Sequence, residues 1–383
     1  MSFPTVSVIV PTFNRAHYLT QCLDSLLAQT MPPKQVIVVD DGSEDATRDV
    51  VAVYGPAIQY LYKPNGGKPS AVNLAMPLCT GDLVWLFDDD DVALPRAIED
   101  RVRALGAEPD AGFVYSSHHI GSDDSNYGMK IIGQIYVPPT PNSEAFFFEL
   151  MRSCFFHLNS ALVRRDLYRA VGPFDTSLKA CEDYDMQIRL ARIGNPSFCS
   201  SPTFVFRQHG GVRGGTAERY RAAERSAVFR RYSGVVGRKL RNALPLNDYL
   251  VPRVTGELNL RHSRRALLQR VHVMANHGCL AEAFDDLEAL LRTGQEPFTV
   301  TESEAREVGV AMRTGWAYDA SVDDWAGFVE RVRMLRRLPG GARVVAAIAT
   351  SLWTQARGYP GTWIDRFTRV LRAGHVALVN RDS

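Results

Sequence analysis

Residues 83–95 read LVWLFDDDDVALP. Leu83–Phe87 is apolar and aromatic; Asp88, Asp89, Asp90 and Asp91 follow without a break, and the chain then turns apolar again up to Pro95. An uninterrupted apolar run of this length predicts a strand buried on both faces. Ionised carboxylates at the end of such a strand are costly without partners, and like charges at this spacing repel. Either the four aspartates form a solvated acidic turn, or something positive sits among them.

The flanking sequence supplies the architecture. Val6–Val10, Gln35–Val39 and Ile58–Tyr62 read as strands, and His17–Gln29, Asp45–Val53 and Ser70–Leu78 as the helices between them. After the aspartates, Pro95–Leu105 reads as a helix with proline in its first turn, and Gly112–Tyr115 as a fifth strand. Apolar strands alternating with helices predict an α/β fold with a mostly parallel central sheet. Ligands of such sheets bind beyond the carboxyl ends of the strands. Three of those ends carry unusual residues: Pro11–Arg15 (PTFNR), Asp40–Ser43 (DDGS) and Asp88–Asp91. Parallel strands would bring all three to one edge. A hard dication, Mn²⁺ or Mg²⁺, suits such a carboxylate set, because it takes oxygen ligands and shares itself with substrate phosphates. Phosphoryl or nucleotidyl transfer would use the same arrangement.

Further along, Gly121–Tyr127 (GSDDSNY) and Pro138–Asn142 (PPTPN) read as loops. Ser160–Val163 and Pro202–Arg207 read as strands, and about Asp183–Ile193 as a helix. Beyond about Ala217 arginine, alanine, leucine and glutamate at helical spacing predict a mainly helical region. The expected division is 1–215, with halves near 1–117 and 118–215, followed by helical 216–383. A chain of 383 residues with 45% hydrophobic and 22% charged residues is long enough for two cores and too apolar for disorder. The net charge of +2 points to no particular partner, and no nucleic-acid partner is expected. Arginines do gather between Arg219 and Arg270, as a solvated helical face or as an anion-facing surface. Six scattered cysteines without CxxC spacing argue against a zinc or redox motif and for a reducing, cytoplasmic setting. The polar start before Val6 leads us to expect no secretory leader. Val344–Trp353 is too short to span a bilayer.

The motifs in order are VSVIVPTFNRAHYLTQCLDSLLAQT, QVIVVDDGSEDAT, NGGKPSAVNLAM, LVWLFDDDDVALP and RRDLYRAVGPFDTSLKACEDYDMQIRLARIG. Together they resemble a family 2 glycosyltransferase over about residues 5–215. The resemblance implies a Rossmann-like GT-A fold and inverting transfer of a sugar from a nucleoside-diphosphate-sugar, with a UDP-sugar favoured, to an acceptor hydroxyl.

It also implies roles for individual residues. Phe13 would stack on the base, or else pack in the core. Pro11 and Arg15 share its motif, Pro11 offering a backbone carbonyl to the base. Asp41, with Asp40 second, would accept a base N–H, or cap a turn. Lys68 would approach the phosphates, or lie in solvent. The family pattern Asp-x-Asp-Asp, its register fixed by Pro95, selects Asp88, Asp90 and Asp91, with Asp90 the first metal ligand, Asp88 at ribose or metal, and Asp89 in the variable place. Asp183 would be the general base, with Glu182 the alternative. His209 would add a metal or phosphate contact, and Arg213, in a glycine-rich stretch, would cap the phosphates.

Two other readings compete: a sugar nucleotidyltransferase, disfavoured because PTFNRAHY stands where a glycine-rich basic loop belongs, and a non-catalytic glycan-binding module. Missing transmembrane segments and a missing Gln-x-x-Arg-Trp motif favour a non-processive enzyme. The acceptor, carbohydrate, lipid-linked or other, would meet residues 118–157 and the C-terminal helices. Phe146–Phe148 and Phe155–Phe156 would either face it or pack in the core. A peripheral contact between the basic C-terminal region and the inner membrane face is a further expectation.

Overall fold

A computed structural model describes residues 3–124, 127–211, 219–221, 223–293, 300–318 and 325–356. The chain divides into two compact units, Met1–Tyr232 and Ser233–Ser383. The division falls later than the expected 215/216. The stretch around Phe229 belongs with the first unit, where its carbonyl accepts a hydrogen bond from Cys181 Sγ.

The first unit begins with β1 (Val6–Thr12), α1 (Ala16–Leu27), β2 (Gln35–Asp40), α2 (Thr47–Ala52), β3 (Gln59–Tyr62), α3 (Lys68–Ala75) and β4 (Leu83–Leu86). It continues with β5 (Val92–Ala93), α4 (Ala97–Ala107), β6 (Ala111–Asp123), β7 (Met129–Tyr136), α5 (Ser143–Arg152), β8 (Leu162–Arg164), α6 (Arg165–Val171), α7 (Glu182–Ile193) and β9 (Asn195–Gln208). The sheet runs β3-β2-β1-β4-β8-β6-β9-β5, with β7 on β6. β1 is buried at every position, as the core strand of a sheet covered on both faces must be. Val6, Val8 and Val10 pack with Leu19, Leu23 and Leu26 of α1 and with Trp85 and Phe87.

β3, β2, β1 and β4 pair in parallel, so the three unusual strand ends do share an edge. The expected run of parallel strands stops at β4. The short β8 enters antiparallel to both β4 and β6. The fifth expected strand is also far longer than Gly112–Tyr115. β6 reaches Asp123 because β9 pairs with it along one side and β7 along the other. Residues 121–123, read as loop, are therefore strand. The helix after Pro95 starts at Ala97; Pro95 lies ahead of it, its carbonyl accepting from Thr30 N. Phe146, Phe147, Phe148, Phe155 and Phe156 are all buried, so packing accounts for them.

The second unit is helical. α8 (Arg225–Ala243) leads into it, and α9 (Leu260–Asn276), α10 (Leu280–Arg292), α11 (Glu302–Tyr318), α12 (Trp325–Arg336) and α13 (Gly341–Ala356) follow. Leu268, Val271 and Met274 of α9 and Phe284, Leu287 and Leu290 of α10 are buried. Within this core Asp286 receives both Arg241 and Arg270, which compensates the buried carboxylate. Among the described residues no helix is long and apolar enough to cross a membrane.

Candidate active site at the carboxyl edge of the sheet

The turn after β2 is organised by its two aspartates. Asp40 Oδ1 accepts from Ser43 N at 2.7 Å, and Oδ2 from the Tyr60 hydroxyl at 2.6 Å. Asp41 holds the NGGK loop. Its Oδ1 accepts from Lys63 Nζ at 2.5 Å and Gly66 N at 3.0 Å, and its Oδ2 from Asn65 Nδ2 at 3.1 Å and Gly67 N at 2.7 Å. Four donors match the lone-pair sites of one carboxylate. A base N–H would have to displace or share one of these donors to reach Asp41. Gly42 is required between these elements: its φ is +87°, and a Cβ would lie 2.8 Å from Asn65 N.

The PTFNR segment reaches the acidic cluster through Arg15. One nitrogen, Nη1, lies 2.8 Å from both Asp89 Oδ1 and Asp90 Oδ2. Burial works against the Arg15 charge, but Asp90, Asp89 and Asp88 outweigh it and hold the guanidinium above its ordinary range. Pro11 is buried within β1, beside Val39 of β2. Phe13 is half-buried, and the Arg219 guanidinium stands 5.4 Å from its ring centroid.

Asp89, Asp90 and Asp91 are buried. Asp91 is held by Asn159 Nδ2 at 2.6 Å and by Arg207 N at 2.8 Å. His209 Nε2 lies 2.9 Å from Asp90 Oδ2, which brings a residue 119 positions away onto the loop. Burial, and then the neighbouring Asp90 and Asp88, push the Asp91 carboxyl well above the usual range. Burial also raises the Asp89 carboxyl, against the pull of Arg15.

A dication fits this set. Asp88, Asp90 and Asp91 each offer an oxygen, and the three oxygens lie within 4.8 Å of one another. Ligands on opposite sides of a Mg²⁺ stand about 4 Å apart, so small side-chain movements suffice. A positive ion would also relieve the repulsion that raises Asp91. Asp88 and Asp90 would be its principal holders, with Asp91 offering a third oxygen.

The fourth group joins the two halves of the unit. Lys68, at the start of α3, is ion-paired with Asp88. Burial disfavours its charge, but Asp88, Glu182 and Asp183 more than compensate and hold the ammonium above the ordinary lysine range. Glu182 and Asp183 open α7, whose first turn also carries Asp185; a helix N-terminus favours such carboxylates. Burial and then Asp183 push Glu182 up to about 7, against the pull of Lys68. Asp183 Oδ1 accepts from Tyr184 N. Cys181, just before the pair, has a left-handed φ of +62°, which turns the chain sharply into the helix.

Lys68, Asp88–Asp91, Arg15, His209 and the Glu182–Asp183 pair are thus brought together, Asp40 and Asp41 shape the adjoining loop, and Arg213 lies outside the described residues. The sequence reading missed Asn159, Arg207 and Lys63. None stands in a local motif that would single it out. The one available signal for Arg207 was its position in an apolar run, FVFRQ, two residues before His209.

The Glycosyl transferase family 2 profile matches residues 7–172. An uncharacterized glycosyltransferase of Rickettsia typhi is 30% identical over 195 residues, 51% of this chain and 61% of that protein. The chondroitin synthase of Pasteurella multocida is 28% identical over 194 residues, 50% of this chain and 19% of that protein. The chain therefore spans less than two thirds of either relative. Among solved structures, S. aureus TarS 1–349 in complex with UDP-GlcNAc superposes with a TM-score of 0.53 at 17% identity, covering 86% of this chain and 92% of that one. That likeness establishes the fold. Over residues 7–172 this chain is similar to glycosyl transferase family 2, and it shares its fold with the TarS structure.

Proposed function

We propose that the chain is a non-processive, inverting glycosyltransferase that uses a nucleoside-diphosphate-sugar, a UDP-sugar first, and Mn²⁺ or Mg²⁺. The observation that carries the reading is the link from Asp88 through Lys68 to Glu182 and Asp183. It joins a cluster fit for a metal diphosphate to a carboxylate pair fit for proton transfer. The binding of UDP-GlcNAc by the TarS structure supports the donor class.

In this reading Phe13 and the loop anchored by Asp41 bound the base site. Asp88 and Asp90 hold the dication, with His209 against Asp90. When bound, the ion supplies positive charge to the diphosphate as it departs. Asp183 takes the proton from the acceptor hydroxyl. That oxygen bonds to the anomeric carbon on the face opposite the diphosphate, and the bond to the leaving oxygen breaks, its electron pair going with the nucleoside diphosphate. Glu182 shares the proton balance of the pair. Lys68 and Arg15 stand where they can turn from carboxylate to phosphate. The acceptor would be a hydroxyl of a carbohydrate, a lipid-linked glycan or another molecule. The absence of disulfide pairing among the six cysteines supports a cytoplasmic setting, and arginine-rich α8 supports contact with an anionic membrane face.

Thermal-shift measurements with UDP-, dTDP- and GDP-sugars, each with and without Mn²⁺, test this directly. Stabilisation by a UDP-sugar that needs Mn²⁺, followed by release of UDP in the presence of a glycan acceptor, is the expected result. Stabilisation by none of them would remove the donor assignment.

A further inference from the structure

Arg207 is fully buried, and its guanidinium donates to groups of the protein itself. Its Nε donates to the Asp90 carbonyl at 2.6 Å. Nη1 donates to Asp123 Oδ1 at 2.6 Å and to the Tyr127 carbonyl at 3.1 Å, and Nη2 to Gln21 Oε1 at 2.7 Å. Its own backbone N–H donates to Asp91 Oδ1. The guanidinium also lies 4.4 Å from the Tyr18 ring centroid, and the Tyr18 hydroxyl donates to the other oxygen of Asp123 at 2.6 Å.

One side chain therefore ties three pieces of chain together. It holds the main chain of the aspartate loop at Asp90, the first helix at Gln21 and Tyr18, and the β6–β7 turn at Asp123 and Tyr127. Two residues on, His209 leans on the Asp90 carboxylate from the same strand end. Packing alone would not require this. Burying a guanidinium is costly unless its donors are matched, and an apolar side chain would fill the space without that cost. The planar fork matters because Nε and both Nη groups are used in different directions at once.

We propose that Arg207 is a positioning residue that sets the place of Asp90, and through it the geometry of the carboxylate set that would hold the dication. The proposal rests on the metal reading given above. Arg207 grips the loop at the Asp90 carbonyl and at Asp91, so it acts through the main chain of the loop and through Asp91. Outer partners of this kind govern metal affinity strongly: their loss typically weakens it about 10–100-fold.

The test titrates Mn²⁺ into the full chain saturated with UDP, followed by electron paramagnetic resonance, with thermal melting in parallel. Arg207→Lys keeps the charge and loses the fork. It is expected to bind Mn²⁺ about 10–100-fold more weakly than the wild type while retaining a cooperative melt. Asp123→Asn loosens the outer grip on Arg207 at a partly exposed position and is expected to shift binding the same way by less. If Arg207→Lys folds and binds Mn²⁺ as tightly as the wild type, the proposal is overturned and the metal reading survives. Should Arg207→Lys not fold, Asp123→Asn decides: weaker binding supports the proposal and unchanged binding overturns it. A wild type that binds no Mn²⁺ even with UDP present would overturn the metal reading, and this proposal with it.

Discussion

Lys68 forms an ion pair with Asp88, and its ammonium also pulls the Glu182 carboxyl downward. The two halves of the site are therefore electrostatically connected. Replacing Lys68 by methionine removes that pull while keeping the stem. Glu182 should then hold its proton to higher pH, and the acidic limb of the kcat/KM–pH profile should move to higher pH than in the wild type. An acidic limb that stays in place contradicts the connection.

Glu182 also makes stability pH-dependent. Its carboxyl is raised to about 7 in the folded chain, from an ordinary value of 4.5. Between those values the folded state binds the extra proton, so this group's contribution to stability declines as pH rises from about 4.5 through 7. Glu182→Gln cannot ionise and escapes the loss. The variant should gain in melting temperature relative to wild type at pH 8 compared with pH 5. Equal differences at both values would show that Glu182 is not raised.

Asp183→Asn keeps size and removes the base. General-base catalysis is worth about 10²–10⁴-fold in rate, and the variant should lose at least that order in kcat. UDP binding by calorimetry should remain, because Asp183 is not among the donor-holding groups. Near-normal turnover would shift the role away from this residue.

Asn159 holds Asp91 through its side-chain amide, whereas its main-chain carbonyl receives Trp85 Nε1. Asn159→Ala removes only the first of these. It leaves a buried carboxylate one donor short, at a cost of about 1–3 kcal/mol. Urea denaturation should show that loss as a lower midpoint with an unchanged slope.

The parts of this account that were legible in the sequence are those with a local cause. β1, β2 and β4 are continuous apolar runs because both their faces are covered, and their carboxyl ends could be ranked by the residues they carried. The Asp88–Asp91 cluster and the Glu182–Asp183 pair stood in motifs. What escaped was set by distant partners. β8 runs against its neighbours, a matter of chain path that no periodicity records. β7, MKIIGQIY, is largely exposed and interrupted by Gly133, so it lacks the alternation that marks a half-buried strand. The donors that hold Asp41, from Lys63, Asn65, Gly66 and Gly67, reach it only after the chain folds back. Arg207 sits in a strand whose sequence says only that it is apolar, and its partners come from α1, the aspartate loop and the β6–β7 turn. The phenylalanines at 146–148 and 155–156 pack in the core, one of the two readings their sequence allowed.

The most direct measurement of the central claim is a crystal structure of the full chain with Mn²⁺ and UDP, phased to show anomalous scattering from manganese. The account predicts one manganese peak bonded to carboxylate oxygens of Asp88 and Asp90 and to the diphosphate, with the uracil at the end of β1 and β2. Bound UDP with no manganese at Asp88–Asp91, or with those side chains turned away from the diphosphate, would contradict it.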